Sequence, residues 1–259
     1  MQGIVLTDCA SVGGLLSTIR GARLPLLKVV TGWGAPWDDA SRMDVCTAMP
    51  ELLVRTISGD GCQGPPALDP SAVLAELRPW CEARSTITVE LGNEPNADDA
   101  SDDAAWNFRY WFIESLNVVR ESFPQARIVS PGLLENRQSE WWAICQDGFE
   151  LADAIGFHSY AYHDFVDGDT GQIQRALEQL ALFFPDHTWM LTECGINDPA
   201  TSAETKATRY AALHAKLPSQ VASVCFYHFC EDPLPGDADQ AAYQLPASAL
   251  PYLYAGGTL

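Results

Sequence analysis

Short β-type runs alternate with longer helical patterns along the whole chain, and this alternation constrains the fold more than any other feature. Strand–helix alternation predicts parallel strands joined by right-handed crossovers. Helical patterns, with apolar residues three and four positions apart, are clearest at 71–83, 103–123, 171–184 and 202–217. The β-type runs cover residues 3–8, 26–32, 52–58, 86–92, 127–132, 154–160, 188–193 and 223–229.

Eight strand–helix units in 259 residues match the size of a (β/α)8 TIM barrel, an α/β fold. Segments after the strands are long and polar or aromatic, as at 32–41 and 59–70, whereas segments before the strands are short. In a barrel the long segments all emerge at the carboxyl ends of the strands. The alternative is an open doubly wound sheet, but residues 7–14 read TDCASVGG rather than a GxGxxG phosphate loop. We expect one barrel domain over residues 1–259.

The composition limits the partners and the surroundings of the protein. A formal net charge of −19 repels phosphate backbones and anionic lipids, so we expect neither nucleic acid nor a membrane as a partner. No apolar run approaches the roughly 18 residues that span a bilayer, and no basic leader precedes the first strand. Eight cysteines without a CxxC motif favour reduced thiols in the cytoplasm. A bridge at Cys62 and a secreted protein with an engineered start are the alternatives.

Two glutamates follow predicted strands four and seven. Glu94 lies in the stretch VELGNEPN, and Glu193 lies in WMLTECG. Strands four and seven face each other across the mouth of an eight-stranded barrel, so carboxylates at their ends can approach within roughly 5–5.5 Å. That separation suits a retaining glycosidase, in which one carboxylate attacks the anomeric carbon and the other protonates the leaving oxygen. Repulsion between two close carboxylates keeps a proton on one of them.

These motifs resemble those of clan A of the glycoside hydrolases, which are retaining (β/α)8 enzymes. The resemblance rests on ELGNEPN at strand four, FHSY at strand six and WMLTECG at strand seven, in the clan's order and on the clan's strands. It implies a β-glycoside hydrolase that cleaves a neutral β-linked glycan or glycoside by double displacement, without a cofactor. Glu94 matches the acid/base of the clan, Glu193 the nucleophile, and Asn93 the amide that binds the sugar 2-hydroxyl.

The same resemblance gives roles to residues on other strands. His158 and Tyr160 share a strand face and match a strand-six pair whose tyrosine hydrogen-bonds the nucleophile. Arg55 on strand three resembles a basic residue that keeps Glu193 ionised. Glu90 has the same strand parity as the acid/base, and we expect it to be structural and paired with Arg55, because a buried charge needs a partner.

Aromatic residues near the predicted mouth can stack on the apolar faces of sugar rings, and ordinary packing is the alternative. Strand eight departs from the clan, because CFYHF stands where a tryptophan commonly floors the first sugar site, so Tyr227 or His228 would serve there. Trp106 and Trp111 lie inside a long amphipathic pattern and are predicted to be core residues. The tryptophans at predicted loops or helix starts are Trp33, Trp37, Trp141 and Trp142.

Two other functions are alternatives to the glycosidase. A non-catalytic carbohydrate-binding protein can use the same scaffold, because fold alone does not establish function. A metal-dependent barrel hydrolase is the second, although the first strand lacks the HxH pair expected for it. Its candidate ligands near strand ends are Asp8, His158, Glu193 and His228.

Overall fold

Eight parallel strands form one sheet, one strand for each predicted run. The computed structural model describes residues 1–6, 24–31, 37–62, 66, 68–161, 171–196, 198, 200–227 and 246–254. The strands are β1 (Gln2–Leu6), β2 (Leu26–Val30), β3 (Glu51–Arg55), β4 (Thr88–Glu90), β5 (Arg127–Val129), β6 (Ile155–Ala161), β7 (Trp189–Ile196) and β8 (Val221–Phe226). Their order in the sheet is β5-β4-β3-β2-β1-β8-β7-β6.

The sheet closes on itself between β5 and β6. Val129 and Ala154 form a parallel bridge, and the Ser130 amide donates to the Ala154 carbonyl at 3.1 Å. The Gly156 amide continues the contact by donating to the Ser130 hydroxyl at 3.0 Å. Because its two outermost strands meet, the sheet is a (β/α)8 barrel, and the prediction of that fold is confirmed. The doubly wound alternative is wrong.

Helices follow the strands where the periodicity predicted them. Ser101 caps the longest helix by accepting from the Ala104 amide at 3.2 Å, and two aspartates occupy its first turn, where they complement the helix dipole. None of the helices in the described ranges is long and apolar enough to cross a bilayer. These helices are α1 (Asp39–Ala48), α2 (Pro70–Ala83), α3 (Asp102–Ser122), α4 (Gln138–Phe149), α5 (Gly171–Phe183), α6 (Ala203–His214) and α7 (Leu250–Tyr254).

Two apolar clusters hold the barrel together. The larger one lies between strands and helices, where Trp141 and Trp142 of α4 are fully buried. Ordinary packing therefore accounts for both of these tryptophans. The smaller cluster fills the barrel interior and consists of Val5, Leu26, Val30, Leu53, Val129, Ala154, Met190 and Cys225.

The two tryptophans predicted to be core residues on α3 differ in burial. Trp111 is 3% exposed, as predicted, but Trp106 is 44% exposed, so its assignment to the core was wrong. The buried face of the helix runs through Ala105 and Phe108, which leaves Trp106 turned outward. Its ring instead packs under the guanidinium of Arg109, 5.3 Å from the ring centroid.

The segment after β3 continues alongside the end of β4. Asp60 and Asn93 form an isolated parallel bridge, and the Gly61 amide donates to the Asn93 carbonyl at 2.9 Å. The Asn93 amide in turn donates to the Gly59 carbonyl at 3.2 Å. These backbone contacts fix the chain directly before Glu94, at the mouth of the barrel.

Candidate active site

Glu94 lies in a tight backbone turn directly beyond β4. Its φ of 40° falls in the left-handed region, which costs a non-glycine residue about 1–2 kcal/mol. Backbone contacts maintain this conformation: the Glu94 amide donates to the Gly132 carbonyl, and the Ala97 amide donates to the Glu94 carbonyl, each at 2.9 Å. Strained backbone of this kind concentrates at functional sites. The turn places the Glu94 side chain at the barrel mouth.

Glu193 faces the barrel interior because of an irregularity in β7. Met190 belongs to the interior cluster. Side chains of a regular strand alternate between its two faces, so Glu193, three positions later, would point outward. The register of β7 shifts between Leu191 and Cys194 against β8, and at the matching level against β6. Bulges re-aim side chains in this way, often beside active sites. The irregularity brings Glu193 opposite His158.

The two glutamates approach each other closely and are almost fully buried. A carboxylate oxygen of Glu94 and one of Glu193 lie within 4.8 Å of each other, with a ring nitrogen of His158 inside the same limit. Glu94 is 7% exposed and Glu193 is 3% exposed. The site therefore presents two nearly buried carboxylates that face one cleft.

Cations and a hydroxyl surround the Glu193 carboxylate. Oε1 accepts from Nη1 of Arg55 at 2.6 Å and from Nζ of Lys28 at 2.9 Å, while the hydroxyl of Tyr160 donates to Oε2. Burial raises the pKa of Glu193, but Lys28, His158 and Arg55 outweigh burial and hold this pKa well below its usual range. Glu193 is therefore ionised at neutral pH, and the contacts expected from Arg55 and Tyr160 are present.

Each oxygen of the Glu94 carboxylate has a partner of its own. Nδ1 of His158 lies 2.7 Å from Oε1, and the Cys62 thiol donates to Oε2 at 2.9 Å. Cys62 is free, so the predicted alternative of a bridge at this residue is wrong. Burial, followed by the charge of Glu94, raises the pKa of the Cys62 thiol. The thiol stays protonated and acts as a donor.

His158 lies between two carboxylates at the centre of the barrel. Its Nε2 is 3.6 Å from Oε1 of Glu90, on the side of the ring opposite Glu94. Burial lowers the pKa of His158, but Glu193, Glu90 and Glu94 together raise it to about 9. Gly132 provides the space for the ring, because a Cβ there would lie 2.0 Å from Cδ2 of His158. At neutral pH the ring is an imidazolium.

Lys28 contacts the candidate nucleophile but was not predicted from the sequence. Glu90 was expected to pair with Arg55, which is wrong: its Oε2 lies 2.5 Å from Nζ of Lys28. The guanidinium of Arg55 extends instead toward the mouth, where it donates to Asn93 at 2.7 Å. Burial raises the pKa of Glu90, and Lys28 then lowers it to about 2. A sequence signal existed, since LLKVV sets a lysine inside an apolar strand.

Asp60 is a second polar residue that sequence reasoning did not select. It is 4% exposed, and its Oδ2 lies 3.6 Å from Nη2 of Arg55. Its Oδ1 accepts from Nδ2 of Asn93 at 3.3 Å and from the Cys62 amide at 2.8 Å. Asp60 thus orients the Asn93 amide and anchors the segment that carries Cys62.

The predicted sugar-stacking residues fall into three groups. Tyr227 lies at the mouth, with its ring perpendicular to that of Tyr160 at a centroid distance of 5.9 Å. Trp37 is buried: its indole donates to the Val30 carbonyl at 3.1 Å, and its edge packs on Trp80, which favours ordinary packing. Trp33 and His228 lie outside the described residues.

An open cavity lies beside His158 and Tyr160, the residues of β6 that contact the two glutamates. Its volume is about 220 Å³. Leu133 and Leu134 give it an apolar wall, while His158, Tyr160 and Gln172 supply polar groups. Ligand sites combine apolar walls with a few polar groups in this way. The cavity therefore has the lining that a small ligand would need.

The same cluster has the donor types of a metal site but not its charge. Glu94, His158 and Glu193 each present a suitable atom within 4.8 Å of the others. However, both ring nitrogens of His158 face carboxylates and the ring is cationic, whereas a metal ligand must be a neutral imidazole. Lys28 and Arg55 already neutralise Glu193. The cluster does not fit a divalent cation, and Asp8, the other ligand candidate besides His228, lies outside the described residues.

No protein-family model and no curated protein matches the chain. Among solved structures, a GH128 (subgroup I) endo-β-1,3-glucanase from Amycolatopsis mediterranei, in complex with laminaritriose, has a TM-score of 0.62 and 17% identity over 99% of both chains. A GH128 (subgroup VI) exo-β-1,3-glucanase from Aureobasidium namibiae has a TM-score of 0.61 and 15% identity over 94% of this chain and 89% of its own. A family 39 glycoside hydrolase from Bacteroides cellulosilyticus WH2 has a TM-score of 0.63 and 14% identity over 95% of this chain and 60% of its own. At these identities the likeness shows a shared fold, the barrel of these glycoside hydrolases.

Proposed function

We propose that the protein is a retaining β-glycoside hydrolase with Glu193 as the nucleophile and Glu94 as the acid/base. One observation carries the proposal: a carboxylate oxygen of each residue lies within 4.8 Å of the other. Retaining glycosidases hold their carboxyl groups roughly 5–5.5 Å apart, whereas inverting enzymes need roughly 6.5–9.5 Å to admit a water molecule. The glycoside hydrolases that share the barrel support the same reaction class.

In the first step Glu193 attacks the anomeric carbon. Oε1 is held by the two cations Lys28 and Arg55, so Oε2, which accepts from the neutral Tyr160 hydroxyl, is the oxygen that forms the bond. Glu94 gives a proton to the glycosidic oxygen as the bond to the leaving sugar breaks. Asn93 is held ready to bind the sugar 2-hydroxyl.

In the second step water replaces the enzyme at the anomeric carbon. Glu94, now a carboxylate, removes a proton from that water, and the ester bond to Glu193 breaks. Two inversions restore the β configuration. The mechanism uses side chains alone and needs no cofactor.

The substrate that we propose is a neutral β-glucan with β-1,3 linkages. Two of the structures with the same fold are β-1,3-glucanases, and one of them holds laminaritriose. A neutral glucan also suits a protein with a net charge of −19, because it brings no anionic groups into the site. The aromatic rings of Tyr160 and Tyr227 offer faces for a sugar at the mouth.

Hydrolysis of laminarin and laminari-oligosaccharides tests the function, with xylan, mannan and aryl β-glycosides as comparison substrates. Proton NMR of the first product formed reports the anomer, and we expect β. Glu193→Gln should remove nearly all turnover, whereas Glu94→Gln should retain the first step on substrates with good leaving groups. Glu121→Gln, an exposed glutamate on α3, is the matched control and should behave as the parent. An α product, or parent-like rates in both site variants, would refute the assignment.

The two alternative functions have different outcomes in the same experiments. A carbohydrate-binding protein would bind oligosaccharides in Glu94→Gln, while the parent would cleave none of these substrates. A metal-dependent hydrolase would lose activity with a chelator. We expect hydrolysis in the parent and indifference to the chelator, because cations of the chain itself already neutralise Glu193.

A further inference from the structure

A continuous line of charged side chains runs through the barrel interior from one candidate catalytic glutamate to the other. Oε1 of Glu193 lies 2.9 Å from Nζ of Lys28, which lies 2.5 Å from Oε2 of Glu90. Oε1 of Glu90 lies 3.6 Å from Nε2 of His158, whose Nδ1 lies 2.7 Å from Oε1 of Glu94. Acidic and basic side chains therefore alternate along the whole line.

The three intermediate residues are fully or almost fully buried. Lys28 and Glu90 are 0% exposed, and His158 is 3% exposed. A buried charge costs several kcal/mol unless it is paired, and an ion pair that only stabilised the fold could be replaced by apolar side chains at no loss. Neither Lys28 nor Glu90 lines the cavity beside His158 and Tyr160. Stabilisation of the fold does not explain why Lys28 and Glu90 lie between the two glutamates.

We propose that Lys28 and Glu90 are positioning residues that couple the two catalytic glutamates through His158. This inference rests on the proposed function. Glu90 holds the Nε2 side of the ring, so that Nδ1 and its proton face Glu94. The His158–Glu94 pair then shares one transferable proton across the 2.7 Å between Nδ1 and Oε1. Lys28 links this pair to the nucleophile, since its ammonium contacts Glu193 and Glu90 at once.

The coupling follows the movement of charge in the first reaction step. When Glu193 forms the ester, it loses its negative charge, and Lys28 is left with Glu90 as its carboxylate partner. At the same time the proton of the pair passes to the glycosidic oxygen, which leaves a neutral imidazole beside the Glu94 carboxylate. Negative charge therefore disappears at one end of the line and arises at the other, and hydrolysis of the ester reverses both changes.

The charged groups that face His158 predict how it titrates. Burial lowers its pKa, and the neighbouring carboxylates raise it to about 9. Removing one carboxylate should therefore lower this pKa, whereas removing the cation that neutralises those carboxylates should raise it. The groups facing the ring or its partners are Glu90 and Glu94 from the β4 side, Cys62 after β3, Glu193 on β7, Tyr160 on β6, Lys28 on β2 and Arg55 on β3.

Nuclear magnetic resonance of the histidine side chains tests the proposal without any substrate. The chain has 5 histidines, so the signal of His158 can be assigned by its absence from His158→Gln. In the parent we expect His158 to titrate near pH 9. We expect Glu90→Gln to lower that value by about 1–2 pH units and Lys28→Met to raise it. Lys206→Met, at another buried lysine on α6, is the control and should leave the titration unchanged.

A second readout links the titration to turnover of laminari-oligosaccharides. In a plot of kcat/KM against pH, the alkaline limb should move to lower pH in Glu90→Gln and to higher pH in Lys28→Met. Each shift should equal the change in the pKa of His158 measured by NMR. A purely structural pair would lower activity in both variants without moving the two limbs in opposite directions. Near-ultraviolet circular dichroism checks that each variant is folded.

Titration of His158 in the parent protein tests the proposal even if either variant fails to fold. Titration of His158 near 6.5 in the parent would overturn the proposal, and so would an unchanged titration in a folded Glu90→Gln protein. If no glycan is cleaved, the proposed function fails while the NMR result still decides the coupling. If glycans are cleaved and the limbs do not move with His158, the function stands and the coupling fails.

Discussion

The carboxylate of Glu76 on α2 holds the segment after β3, and its removal gives a sharp local prediction. It accepts from the Ile57 amide at 2.7 Å, from the Ser58 amide at 2.9 Å, from the Ser58 hydroxyl, and from the Thr31 hydroxyl at 2.5 Å. This segment carries Asp60 to its contacts with Arg55 and Asn93. Glu76→Ala should therefore loosen one wall of the candidate active site from a distance.

The magnitude follows from the number and type of these hydrogen bonds. A bond to a charged group contributes about 1.5–3 kcal/mol when it is buried. Glu76 is only partly buried, so water can replace part of what is lost. We expect Glu76→Ala to lower the free energy of unfolding by about 2–4 kcal/mol. Glu76→Gln keeps one oxygen acceptor and should lose roughly half as much.

Hydrogen exchange and urea unfolding measure the two aspects of this prediction. A local loss of about 2–4 kcal/mol corresponds to exchange about 30- to 1,000-fold faster at the Ile57 and Ser58 amides. Glu82→Ala is the control, because Glu82 lies on the same helix, is largely exposed and pairs with Arg78 alone at 3.7 Å. Unchanged exchange at both amides in Glu76→Ala would show that the carboxylate does not hold the segment.

Three further perturbations address residues in and below the candidate active site. Tyr160→Phe removes the hydroxyl that donates to Glu193, and we expect kcat to fall by about 10- to 100-fold with little change in KM, measured by steady-state kinetics. Gly132→Ala would set a Cβ 2.0 Å from the ring of His158. We expect it to lower Tm and turnover together, and parent-like values would contradict the close approach. The pKa of Glu90 is about 2 in the folded protein, below the 4.5 of a free glutamate, because Lys28 and His158 outweigh the effect of burial. Its stabilising effect is therefore complete above pH 4.5 and lost as pH falls toward 2, so urea unfolding of Glu90→Gln should show a weaker acid dependence than the parent.

The regular elements could be predicted because their signals are local. All eight strands lie where β-type runs occur, and α2 begins and ends within one residue of the predicted 71–83. Period-two and period-3.6 patterns record which side of an element is buried, so they survive in the sequence without an alignment. Trp106 was assigned wrongly because an amphipathic helix indicates that one face is buried, while the tryptophan belongs to the other.

The candidate site was predictable only in part. Glu94 and Glu193 follow strands that a barrel of eight must bring together, so their meeting could be inferred from strand order. The partners of each glutamate could not, because they depend on how far long side chains reach. Arg55 and Glu90 are register neighbours on β3 and β4, yet the guanidinium extends to Glu193 and the carboxylate pairs with Lys28.

The alternation of elements is encoded locally along the chain, and it specifies the barrel and the end at which the polar segments gather. Which side chains face inward at the mouth depends on contacts between distant parts of the chain. The irregularity in β7 turns Glu193 into the barrel, although strict alternation from Met190 would point it outward. The irregularity is defined by shifts in the pairing of β7 with β6 and β8, so it cannot be recognised in the sequence of β7 alone. The left-handed turn at Glu94 likewise depends on the Gly132 carbonyl, a contact across strands. Local propensity specifies the elements, whereas the site requires departures from regularity that distant parts of the chain must hold in place.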